Sequence, residues 1–102
     1  MPLRFQVVPV DIPSGTGRRT INFESQPFSP TVLRAAVALN GFRLQFDSAD
    51  HHLKIVEIDA DFLFVDQNQN KVVFSVECNL ADKNGDDRYS GQANVLVIAE
   101  VD

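Results

Sequence analysis

The sequence predicts an all-β fold, a six-stranded antiparallel β-sandwich forming a single domain over residues 1–102. Three observations predict it. From Lys71 to Asp82, Val72, Phe74, Val76, Cys78 and Leu80 are apolar and alternate with Ser75, Glu77 and Asn79. That period of two marks a strand with one face on a core and the other toward water. Similar apolar segments recur along the chain between connections rich in Gly, Pro, Asn and Asp, while convincing helix is scarce. At 102 residues the chain has room for one core and not for two.

Leu3 to Val10 reads as the first strand, with Phe5 and Val7 on one side and Val8 and Val10 on the other. Asp11 to Gly17 carries Pro13 and two glycines, which is loop chemistry. A short strand over Thr20–Phe23 follows, and Pro27 and Pro30 interrupt the pattern again. The stretch from Ser29 to Gly41 supports two readings. Ser29 as N-cap, Pro30 at the first helical position, the alanines and a terminal Asn40–Gly41 are helix signals. As a strand, it places Leu33, Ala35, Val37 and Leu39 on one face, and the apolar parity then switches to Phe42, Leu44 and Phe46. A switch at Asn-Gly is what a β-bulge or tight reversal produces, and the strand reading is preferred.

After the polar connection Asp47–His52, Leu53 to Val65 alternates, with Val56, Ile58, Ala60, Phe62 and Phe64 on one face and Glu57, Asp59 and Asp61 on the other. Asp66–Asn70 is a polar hairpin connection into the Lys71 strand, and Asp82–Arg88 is the next loop. Gly91 to Val101 is the final strand. Ala93, Val95, Val97, Ala99 and Val101 share one face, while Leu96 and Ile98 make the other apolar as well. Such a strand is either covered on both sides or meets another chain.

A net charge of −5 argues against nucleic acid, whose phosphates call for a basic surface. Arg18–Arg19, the basic pair, reads as an exposed strand entrance. The single cysteine, Cys78, excludes an internal disulfide and reads as a small buried hydrophobe. No apolar run approaches the roughly 20 residues of a membrane helix, and the start shows no signal-peptide pattern, so the chain reads as soluble, with its compartment open.

Asp50, His51 and His52 beside Asp47 form the most metal-like cluster. Neighbouring residues of an extended chain point apart, which favours a structural histidine in a polar loop over an ion site. Asp82, Asn84 and Asp86 match the start of a calcium loop, but Asp87 stands where that loop needs Gly and Ala93 where it needs Glu, so a solvated turn is the preferred reading. No nucleophile elbow, reactive thiol or pocketed carboxylate pair is visible, and neither catalysis nor a cofactor is expected.

Thr20–Phe23, Pro27–Phe28–Ser29–Pro30, the Val32–Leu44 stretch, Leu53–Lys54–Ile55 and the closing Ala93–Glu100 segment together resemble the H-type lectin domain over residues 18–101. The resemblance implies a six-stranded sandwich that forms homotrimers and binds N-acetylgalactosamine-type glycans near subunit boundaries. It places Lys54 where the family often has a sugar-contacting Arg, and Asp82 or Ala81 near the family's sugar-contacting His. The chain departs from the pattern in having no Trp, with Leu80 or Ala81 standing where the aromatic and His are expected. The expected ligand-binding residues are His51, His52, Lys54, Asp82, Asp87 and Tyr89, with Tyr89 as an exposed aromatic for a sugar ring. Two rival expectations are a structural assembly module of a tail, fibre or appendage without a small ligand, and a metal-dependent enzyme at the two histidines.

Overall fold

The computed structural model describes residues 2–47, 53–82 and 88–102, with the backbone alone at 53–55 and 82. Six strands occur among them: β1 (Leu3–Gly15), β2 (Arg19–Glu24), β3 (Val32–Phe46), β4 (Leu53–Asp66), β5 (Lys71–Asp82) and β6 (Tyr89–Val101). All pairing is antiparallel, in two three-stranded sheets ordered β1–β6–β3 and β2–β5–β4. The described residues contain no helix, and none is long and apolar enough to cross a membrane.

The ambiguous stretch before Gly41 is therefore strand. Val37 and Leu39 lie opposite Val97 and Val95 of β6, and burying such side chains outweighs helix preferences of only tenths of a kcal/mol per residue. The parity switch has the expected cause. Leu39 faces Val95 and Phe42 faces Ala93, so three steps of β3 span two of β6. Gly41 in this bulge has φ 124°, a conformation that favours glycine.

The central strands β5 and β6 carry the core. Val72, Phe74, Val76, Cys78 and Leu80 from β5, and Ala93, Val95, Val97, Ala99 and Val101 from β6, are buried in one apolar cluster with Val10 and Ile12 of β1. The alternation read from sequence thus assigns the inner face of both strands correctly, and Cys78 is buried and free. Ser75 is buried as well, on the opposite side of β5.

Three strand expectations are corrected. Leu33 does not share a face with Ala35, Val37 and Leu39, since it is the extra residue of a bulge between Val32 and Arg34 and is 46% exposed, while Val32 is buried. β1 continues beyond Val10 to Gly15, because Ile12 is apolar, pairs opposite Gly91 and is buried, while Pro13 falls in a bulge between Ile12 and Gly15. A proline fits there on an edge strand, where no ladder donor is lost. Phe64 does not share a face with Phe62. Phe62 lies opposite Phe74 and Phe64 opposite Val73, so the extra residue Leu63 flips the parity, leaving Val65 at the core margin and Phe64 54% exposed.

Two polar residues hold the non-strand segment 25–31. Ser25 N donates to Val72 O at 2.9 Å, and Val72 N donates to Ser25 Oγ at 2.9 Å. A side-chain oxygen thereby extends the β2–β5 ladder by one step. Asn70, in the left-handed region with φ 55°, donates from Nδ2 to Phe28 O at 2.7 Å and Pro30 O at 2.8 Å. Its Oδ1 accepts from Val32 N at 2.8 Å.

Candidate functional site

β3 ends where β6 begins. Phe46 pairs with Tyr89, and Asp47 N donates to Arg88 O at 3.0 Å. In the other sheet β4 begins where β5 ends, Leu53 opposite Asp82. The described residues that flank 48–52 and 83–87 are thus neighbours at one end of each sheet, Asp47 beside Arg88 and Leu53 beside Asp82.

A polar network ties that end together. Ser14 Oγ and Ser90 Oγ both donate to the Asp47 carboxylate, the latter at 2.9 Å. Arg88 donates from Nε to Ser14 Oγ at 3.0 Å and from Nη2 to Ser14 O at 3.2 Å. The hydroxyl of Ser14, then that of Ser90, holds the Asp47 carboxyl below its usual pKa, since both bonds favour the ionised form. Three strands of one sheet are joined through this carboxylate. Asp47, which the sequence sets beside the two histidines, is engaged in this network.

Of the sequence-predicted ligand residues, His51, His52 and Asp87 lie outside the described residues, as do Asp50, Asn84 and Asp86. Lys54 and Asp82 are placed by their backbones. Lys54 is the extra residue of a bulge between Leu53 and Ile55, next to the Leu53–Asp82 pair, so the register brings these two positions together. The expectation of an exposed Tyr89 is corrected, for this residue is fully buried. Its hydroxyl donates to Gly17 O at 2.6 Å, lies 3.1 Å from Cys78 O, and reaches across from β6 to the other sheet. Burial raises its pKa by penalising the phenolate. The Arg19 guanidinium lies 4.4 Å from the ring centroid and donates to Tyr89 O at 3.2 Å, a cation–π arrangement. Tyr89 thus anchors the candidate end from beneath.

Arg18 and Arg19 are more than a strand entrance. Arg18 forks between two carboxylates, Glu77 at 2.5 Å and Glu57 at 2.6 Å. Those bonds, Glu77 first, raise its pKa. The sequence places Glu57 on one face with Asp59 and Asp61, and alternation alone could not reveal this pairing, since it joins residues far apart in sequence. The three residues line a cleft of about 490 Å³ together with Phe42, Val56 and Asp59. Among the described residues, no three His, Cys, Asp or Glu side chains are grouped to hold a metal ion.

The outer face of the β1–β6–β3 sheet has two halves. In one, Phe5, Ile98 and Ala36 form a row across the strands, and Val7, Leu96 and Ala38 form the next. Phe5 is 61% and Val7 54% exposed. An Arg34–Glu100 ion pair borders these rows. In the other half the rows are polar, with Asp11, Gln92 and Arg43 aligned. The two-sided apolar character of the final strand was legible in sequence, whereas the polar row depends on the β3 bulge.

Searches against family models, curated proteins and solved structures find no significant match to this chain.

Proposed function

We propose that the chain is a noncatalytic carbohydrate-binding module, its two sheets packed as an H-type lectin-like β-sandwich and its subunits assembled as a homotrimer. The observation that carries the reading is the pairing of the strand ends that flank residues 48–52 and 83–87, through the Phe46–Tyr89 and Leu53–Asp82 pairs and the Asp47–Arg88 bond. Sugars are recognised by hydrogen-bonding side chains with both donors and acceptors, and the chain at and between these strand ends carries His51, His52, Lys54, Asp82 and Asp87. Asp82 accepts from a sugar hydroxyl and Lys54 donates to one. Tyr89 acts as a buried support rather than a platform. Each bond contributes about 1 kcal/mol net, so single-site affinity is weak and assembly supplies avidity.

Assembly has its own support. Phe5, Val7, Leu96 and Ile98 make a contiguous apolar surface, and exposed patches of that kind mark contacts with partners. The same surface favours a second reading, a structural assembly module without a small ligand. Asp82→Ala tests the first reading, abolishing glycan-array binding while the native mass and melting temperature stay unchanged. An oligomer whose Asp82→Ala variant binds glycans as the wild type does would remove the proposed site. An oligomer that binds no glycan supports the structural reading.

A further inference from the structure

We infer that the polar half of the outer β1–β6–β3 face is a second binding site, one that takes a neutral oligosaccharide across the row Asp11–Gln92–Arg43. Its chemistry begins at the β3 bulge. Before the bulge, Ala36 and Ala38 point outward, opposite Ile98 and Leu96; an uninterrupted strand would send position 43 to the core side. The extra residue at Asn40–Gly41 reverses this, so Arg43 stands on the outer face opposite Gln92, and Asp11 stands opposite Gln92 from the other side. Phe42, opposite the buried Ala93, lies on the other face of β3 and is 47% exposed.

The row is exposed, and Asp11, Gln92 and Arg43 make no side-chain hydrogen bond or ion pair among the described residues. Two depressions of about 310 Å³ each flank the row and share all three residues. One is extended by Gln45 and Ser90, the other by Phe42 and Asn94.

An acceptor-only carboxylate, a donor-only guanidinium and amides that do both match the mixed hydroxyls of a sugar. The carboxylate and guanidinium charges cancel, which suits a ligand without net charge. Three adjacent strands span about 10 Å. That reach fits two linked sugar rings and is too long for the ammonium and carboxylate of a free α-amino acid. Asp11, Gln92 and Arg43 do not belong to the end site proposed above, so the two sites can be separated by mutation.

The test is titration of isotope-labelled protein with maltose, cellobiose, lactose and N-acetyllactosamine, and with glucose and galactose, followed by NMR. The expected result is a shift of the Gln92 and Asn94 side-chain amides by at least one disaccharide, with either monosaccharide tenfold weaker or more. Arg43→Ala should weaken that disaccharide at least tenfold, Arg43→Lys less, and Asp82→Ala not at all. Arg43 and Gln92 are exposed, so Arg43→Ala and Gln92→Ala should keep the wild-type melting temperature and stay readable. No shift of the Gln92 amide by any disaccharide, equal affinity for a monosaccharide, unchanged binding in Arg43→Ala, or a loss seen only in Asp82→Ala would each overturn the inference.

Discussion

Asn70→Ala removes the residue on which the 28–32 segment hangs. Three hydrogen bonds, between 2.7 and 2.8 Å, join its side chain to Phe28 O, Pro30 O and Val32 N. At about 1 kcal/mol net for each, their loss costs roughly 3 kcal/mol. The residue also sits at φ 55°, where alanine adds about 1 kcal/mol of strain. The sum, about 4 kcal/mol, is a large part of the roughly 5–15 kcal/mol that stabilises a domain of ordinary size. Urea unfolding followed by circular dichroism measures it, and Asn70→Gly separates the contributions, because glycine accepts the left-handed conformation but makes none of the bonds. The expected order is wild type, then Asn70→Gly about 3 kcal/mol lower, then Asn70→Ala lower still. A loss under about 1 kcal/mol in Asn70→Ala, against the roughly 3 kcal/mol of bonds counted above, would refute the reasoning.

Three further outcomes are expected. Val76→Asp, which puts an unpaired carboxylate on the fully buried face of β5, should cost several kcal/mol or prevent folding, whereas Glu77→Gln, at a half-exposed ion pair with Arg18, should cost under about 1 kcal/mol; equal melting temperatures would reverse the assigned faces. Tyr89→Phe should destabilise by about 1–3 kcal/mol in thermal melts, because Gly17 O loses the phenol as its donor while the ring stays to pack. Asp47 has a lowered pKa, so the folded state holds its proton less tightly than the unfolded one, and the stabilisation is complete above the ordinary Asp value and lost as pH falls through the lowered one; Asp47→Asn should flatten the acid limb of a melting-temperature profile, and an unchanged limb would detach Asp47 from the network.

The strands were legible in the sequence wherever one face is buried continuously. Lys71–Asp82 and Gly91–Val101 lie at the centres of their sheets, so every second residue meets the core, and alternation reports it directly. The edge strands were harder to read. Phe64 was misplaced because it lies beyond a one-residue bulge, which inverts the faces without an obligatory sequence mark, and the far part of β1 because Pro13, Gly15 and Gly17 carry loop chemistry. The bulge in β3 was legible because Asn40–Gly41 supplied that mark.

Less of the candidate site could be read. The pairing of the strand ends at Phe46–Tyr89 and Leu53–Asp82 follows from strand order, a long-range property that no local pattern encodes. Tyr89 looked like a surface aromatic because its neighbours Arg88 and Ser90 are polar, yet its ring is buried under Arg19, a residue far back in the chain. The Arg18 fork and the Asp11–Gln92–Arg43 row likewise join distant segments.

The most direct test of the carbohydrate-binding account is a glycan array probed with the wild-type protein, with and without calcium, alongside its native mass by light scattering. The account predicts a trimer that binds a restricted set of glycans, N-acetylgalactosamine-type sugars foremost, with signal rising steeply with glycan density as avidity requires. A monomer that binds no glycan in either condition would contradict it.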